Sequence, residues 1–277
     1  MDIQLAEQRL FVLSEKISQE QARLRAMDKR VSLFVSGLGT LIIQRPKAEE
    51  IELIGAQKRF EPFWHVICAT RHVYDRTRKI NVPTGGPEVK AITLHGEDYP
   101  VVNNVFAINA LEHCQEENRQ TMFFDALTGQ AHELRGLIGG VKNEITDLAN
   151  FTTSDAALIV PPEVRASYVV RQVLQPMLKP VQADLVLEES AAIEVIDLYY
   201  RPIYAFEFRW KPKDKTAVAE FDGVTGEMRN AKALLQKMNI PISRDALFDI
   251  GADTVGMLLP GANIAVKLAK VAIDRKK

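Results

Sequence analysis

Hydrophobic and polar positions follow two different periods along this chain. Between Ile3 and Phe34 apolar residues recur every seven, at Ile3, Leu10, Ile17, Leu24 and Val31, with Ala6, Leu13, Met27 and Phe34 in a second seam that Glu20 interrupts. That spacing predicts an amphipathic helix of about four heptads, either a coiled-coil dimerisation arm or a helix laid along its own domain. The Gly-containing stretch 33–43 reads as a turn or bent strand, because it lacks the third glycine and the Gly-Lys-Ser/Thr of a phosphate loop. The period then falls to two. Stretches 51–54 and 60–74 read as strands with a charged tip at 75–79, and 89–94 with 98–102 as a hairpin around His95-Gly96-Glu97.

Helical readings follow at 105–119, at 137–150 and from Pro161-Pro162-Glu163 to Leu178. Strands return at 193–198 and 200–210, with a tip at 211–215 and a returning strand at 216–221. A helix is expected over 230–238. The tail divides at Pro260-Gly261 into two further helical stretches, 244–259 and 263–277, whose apolar stripe is Ile264, Leu268, Val271 and Ala272.

Two motifs occur twice in the same order. Ile51-Glu52-Leu53-Ile54 and Phe60-Glu61-Pro62-Phe63 return as Ile193-Glu194-Val195-Ile196 and Tyr200-Arg201-Pro202-Ile203. Phe124-Asp125-Ala126-Leu127-Thr128-Gly129 returns as Phe221-Asp222-Gly223-Val224-Thr225-Gly226. In the second motif an Asp and a Thr suit local backbone bonding and the glycine suits positive φ, so a tight turn explains it. The expected fold class is therefore α+β, with two related antiparallel sheet units and packed helices. Its expected divisions are an N-terminal helix (1–36), a first unit with an inserted hairpin (37–136), a helical linker (137–184), a second unit (185–240) and a C-terminal helical hairpin (241–277).

Composition narrows the function classes. The chain has 277 residues, 47% hydrophobic and 26% charged, ordinary values for a folded protein. A net charge of −1 argues against a surface that grips nucleic acid throughout. Two cysteines, Cys68 and Cys114, make no disulfide framework, and the acidic start Met1-Asp2 without an apolar run is no secretory signal, so a cytoplasmic setting is expected.

Candidate chemistry is sparse. Cys68, His72, His113 and Cys114 are the densest metal-capable group, and zinc held there would make a metal-dependent hydrolase, although His65 faces away from Cys68 and His72 on a strand. No cofactor motif or serine elbow occurs. The two hairpin tips are basic, with Arg76, Arg78 and Lys79 in the first copy matching Lys211, Lys213 and Lys215 in the second. Set side by side next to Tyr74 or Trp210, they would form a cationic edge suited to phosphate or to the surface of an acidic protein partner.

A strand pair closed by Asp-x-x-Thr-Gly beside a helix, used in tandem, resembles the PepSY-type and cystatin-like small α+β modules, most closely over 193–227. That resemblance implies a non-catalytic binding module. The expected function is a non-enzymatic adaptor or scaffold that engages a protein partner, with homo-oligomerisation through the N-terminal helix. The alternative is a peripheral membrane protein whose C-terminal helices lie on the membrane surface.

Overall fold

The computed structural model describes residues 2–35, 46–146 and 157–229, together with the backbone of Ala265–Lys267. It is built mainly from strands. In chain order the strands are β1 (Asp2–Leu5), β2 (Gln8–Leu13), β3 (Ile51–Pro83), β4 (Ala91–Leu94), β5 (Glu97–Pro100), β6 (Val105–Asp125), β7 (Lys142–Glu144), β8 (Leu158–Ile159), β9 (Leu185–Trp210), β10 (Lys215–Asp222), β11 (Met228–Arg229) and β12 (Ala265–Lys267). The α-helices are α1 (Gln19–Lys29), α2 (Arg135–Ile138) and α3 (Ala166–Met177).

The expected helix-rich α+β fold is corrected on several points. No helix spans 1–36: Ile3 lies on β1 and Leu10 on β2, and helix begins only at Gln19. Ser18 caps it, its hydroxyl accepting the Gln21 N–H at 3.2 Å while the Gln21 side chain accepts the Ser18 N–H at 3.0 Å. Heptad spacing survives this break by coincidence, and Leu24, a seam position, is 58% exposed. Stretch 105–119 is strand β6 rather than helix, because pairing with β3 overrides the helical propensity of its glutamates and glutamines. Over 137–146 the expected helix is instead the end of α2 followed by β7, and 147–150 lie outside the described residues. Of the C-terminal hairpin, Ala265–Lys267 is a strand parallel to β1; the rest, with the helix expected at 230–238, lies outside the described residues.

Nor do the repeated motifs build two separate sheets. They share one ten-stranded sheet whose spine is the antiparallel pair of β3 and β9. Glu61 pairs with Arg201, Phe60 with Pro202 and Pro62 with Tyr200. Since Phe60-Glu61-Pro62 and Tyr200-Arg201-Pro202 are the matching motifs, the register is symmetric about the Glu61–Arg201 pair, as though a two-fold axis passed between them. Outside this pair each strand changes its outer neighbour. β8 lies beside β3 to Phe60 and β6 begins at Phe63, while β2 lies beside β9 to Tyr200 and β10 begins at Ile203. Pro62 and Pro202 occupy those two gaps, where a missing N–H deprives no outer strand.

The correspondence extends to hydrogen bonds. Asp125 Oδ1 accepts the N–H groups of Leu127 and Thr128 at 2.8 and 3.0 Å, and Asp222 Oδ1 those of Val224 and Thr225 at 2.8 and 3.1 Å. Ala126 donates to the Pro62 carbonyl and Gly223 to that of Pro202. Gly129 and Gly226 close the turns at φ of 72° and 75°, where a side chain would be strained.

β9 alternates cleanly from Ile196 to Trp210, so its even positions share one face. Both long helices lie there. α3 covers Trp64, Val66, Cys68, Ile196, Leu198 and Tyr200, and α1 packs near Tyr204, Phe206, Phe208 and Trp210. On the opposite face, around the crossing pair, sits a buried ionic network. The Arg59 guanidinium donates to Glu61 at 2.9 Å and to Glu220 at 2.5 Å, and Arg229 donates to Glu61 at 2.8 Å. Arg201 approaches Glu61 at 3.7 Å and Asp222 at 3.5 Å, and burial together with Arg229 holds its guanidinium below the ordinary arginine value.

Removing Arg59 takes a buried guanidinium away from both Glu220 and Glu61. Arg59→Met is expected to lower the unfolding free energy by about 3–5 kcal/mol in urea denaturation. A loss below about 1 kcal/mol would show that the network adds nothing to the register.

Candidate binding surface: the β3–β6 arm and the groove at its root

β3 is longer than the sheet that surrounds it. β9 accompanies it only to Asp75, which pairs with Leu185. From Arg76 to Pro83 it continues with β6 alone, as a two-stranded arm that ends in the small β4–β5 hairpin. Along the described residues β6 pairs with no strand but β3, so its outer edge is open from Val105 to Thr121. Cross-strand pairs join β3 to β6 at the base of the arm and just behind it: Arg76 with Glu112 at 2.6 Å, His113 with Asp75 at 2.7 Å and Arg71 with Glu117 at 2.9 Å. Leu111 stands 56% exposed on it and Val102 65% exposed near its end.

At the root of the arm the sheet outruns its helix. α3 ends at Met177, with Pro176 in its last turn, and the chain crosses back through residues 178–184 to enter β9. Asp184 fastens this crossing, since its N–H donates to the Asp75 carbonyl and its carboxylate accepts the Thr77 N–H, which holds it below the usual carboxylate range. Between the crossing and the strands lies an open groove of about 730 Å³. Its floor is Thr70, His72 and Tyr74, all buried although polar, and one wall is the β6 edge from Gln115 to Asn118. Lys179, Pro180 and Gln182 form the other wall. The Tyr74 hydroxyl donates to Glu116 Oε1 at 2.6 Å, and this bond to the charged carboxylate pushes the phenol pKa up to about 12. His72 Nδ1 is buried without a hydrogen bond, its nearest acid being Glu189 at 3.9 Å.

The two basic stretches do not form one edge. Arg76, Arg78 and Lys79 lie within the arm rather than at a tip, while Lys211 and Lys213 lie in the short 3-10 turn between β9 and β10, followed by Lys215 at the start of β10. Trp210, just before that turn, pairs with Ile51, so roughly 80 Å of strand separates the two groups, at about 3.3 Å per residue. The second group is also engaged locally. Trp210 is buried, its Nε1–H donates to Glu50 at 3.1 Å, Lys213 stands 4.8 Å over its ring and Lys211 pairs with Glu52 at 2.8 Å.

The metal candidates are scattered as well. Cys68 and His72 share the helix-side face four residues apart, Cys114 lies opposite Tyr74, and His113 points to the other face with Asp75. No group of three metal-capable side chains forms among the described residues. Sequence reasoning missed a separate polar cluster on that other face. Asp197 is buried there and accepts the Arg9 guanidinium at 3.0 and 3.1 Å and the Tyr199 hydroxyl at 3.2 Å, with His65 stacked on Phe123 beside it. Burial, with Asp197 next to it, raises the Tyr199 phenol well above its ordinary value, which is the wrong direction for a nucleophile.

No family model matches the chain, and no curated protein and no solved structure shows significant similarity to it. Among the described residues no helix is long and apolar enough to cross a membrane.

The two thiols differ in access and acidity. Burial, with Glu194 nearby, pushes the Cys68 thiol up to about 12, so at pH 8 only roughly one in ten thousand is thiolate. A maleimide or iodoacetamide is therefore expected to label half-buried Cys114 in the native protein and to reach Cys68 only in denaturant. Equal labelling of both, read by intact-mass spectrometry, would contradict this packing.

Proposed function

We propose that the chain is a cytoplasmic, non-enzymatic interaction module in which the β3–β6 arm is the contact element. The observation that carries this reading is the arm's shape: two strands that leave the body of the sheet, with the outer edge of β6 unpaired among the described residues from Val105 to Thr121. An open edge of that length offers main-chain donors and acceptors that a folded body of this size has no internal need for. Arg78 and Lys79 are exposed on the arm and form no ion pair among the described residues, which suits an acidic partner surface.

Thr77 and Leu111 are cross-strand neighbours, so an Asn-Gly turn joining them removes the outer arm without disturbing the sheet behind it. The shortened protein is expected to keep its thermal transition within a few degrees and to lose the partner that the full chain recovers after chemical cross-linking in host lysate. Arg78→Glu with Lys79→Glu is expected to weaken recovery in the same direction. Recovery of the same partner by all three proteins would place the contact elsewhere.

A further inference from the structure

We infer that the groove at the root of the arm binds an extended peptide segment of the partner, which adds to β6 as a strand across Gln115–Asn118. The inference rests on the interaction reading above and specifies its chemistry. Three observations lead to it.

First, the groove wall and the open edge are the same residues. Gln115, Glu116, Glu117 and Asn118 all line the groove, and along them β6 has no second strand among the described residues. A chain laid along the outer side of this wall meets the backbone N–H and C=O groups that β3 leaves unpaired, the arrangement in which an added strand gains main-chain hydrogen bonds, and its side chains on the helix-side face reach over β6 to the groove. Second, the groove has room for side chains of a bound segment: its volume is about 730 Å³ and it is open to solvent rather than enclosed. Third, its walls carry opposite charges. Glu116 on the β6 side accepts only a neutral hydroxyl and forms no ion pair among the described residues, and Lys179 on the crossing segment likewise has no acid within ion-pair distance there. Arg76, by contrast, is already neutralised by Glu112.

In an added strand every second side chain points the same way. A segment with a basic and an acidic residue separated by one position presents both into the groove, the base to Glu116 and the acid to Lys179. Met177, Pro180 and Val181 offer an apolar surface to the aliphatic stems.

The test uses the full chain and a fluorescent seven-residue peptide, Thr-Val-Lys-Val-Glu-Val-Thr, with free ends blocked. Wild type is expected to bind it, with slowed amide hydrogen exchange at 115–118. A peptide with proline in place of the central valine is expected not to bind, because it lacks the N–H and extended freedom that strand addition requires. Glu116→Lys and Lys179→Glu, both at exposed positions, are each expected to weaken binding about tenfold, since each replaces an attraction by a repulsion. The double variant is expected to prefer the peptide with Lys and Glu exchanged. No binding by wild type, equal binding of the proline peptide, or indifference to both charge reversals overturns the inference. The outcome separates from the wider reading, because a partner lost on shortening the arm but unaffected by Glu116→Lys leaves the arm as contact element and removes only the groove.

Discussion

One antiparallel crossing governs this molecule: Glu61 of β3 opposite Arg201 of β9. Every other neighbour relation is counted outward from it. The matching motifs lie at equal distances on either side, so the two outer edges change partners at equivalent places and the two prolines fall where no outer strand needs their N–H. A slip of β3 by one residue along β9 would send Trp64 and Val66 to the helix-free face and bring Arg59 and Glu61 against the helices. The charge network makes that slip expensive. Arg59, Glu61, Glu220, Arg201 and Arg229 come within ion-pair distance of one another in this register, and a buried carboxylate or guanidinium that loses its partners costs several kcal/mol. Hydrophobic burial makes the sheet favourable, while the ionic crossing decides which sheet it is.

The same crossing distributes the core. Because β9 alternates without interruption from Ile196 to Trp210, its even positions form one apolar stripe that serves both helices, α3 on the β6 side and α1 on the β10 side. Neither helix is needed to define the stripe, and each covers only part of it. That division leaves the far end of β3 beyond α3, so among the described residues His72 and Tyr74 continue the core face into a region bordered by the end of α3 and by residues 178–184. The groove is thus a consequence of strand length: β3 has 33 residues and α3 only 12, and at about 3.3 against 1.5 Å per residue the helix cannot reach.

Much of the local geometry was legible in the sequence. Both Asp-x-x-Thr-Gly turns adopt the conformation their residues demand, because an Asx side chain and a positive-φ glycine act within the turn itself. The hairpin at Ala91–Leu94 and Glu97–Pro100 follows from its alternation and from His95-Gly96. Longer-range features were not legible. The heptad of Ile3, Leu10 and Ile17 spans two strands and a cap, and the informative signal was Ser18-x-x-Gln21 rather than the spacing. β6 looks helical because Glu112, Glu116, Glu117 and Arg119 are good helix formers, and only the register with β3 shows that Arg76 and Arg71 answer two of these acids across a ladder. Joining the two basic stretches assumed copies side by side, whereas an antiparallel spine sends equivalent ends of the copies apart.

An arm with an open edge should invite indiscriminate pairing, and its side chains show how that is limited. Ion pairs with β3 neutralise Glu112 and Glu117 and keep the two strands in register, which among the described residues leaves Glu116 as the unneutralised charge of the inner β6 edge, so a second copy pairing there brings its own Glu116 toward this one. Only a segment that neutralises Glu116 escapes that repulsion. Access to the edge is therefore selective rather than closed: the charges that protect the strand from its own kind also determine the chemistry of the chain that can join it.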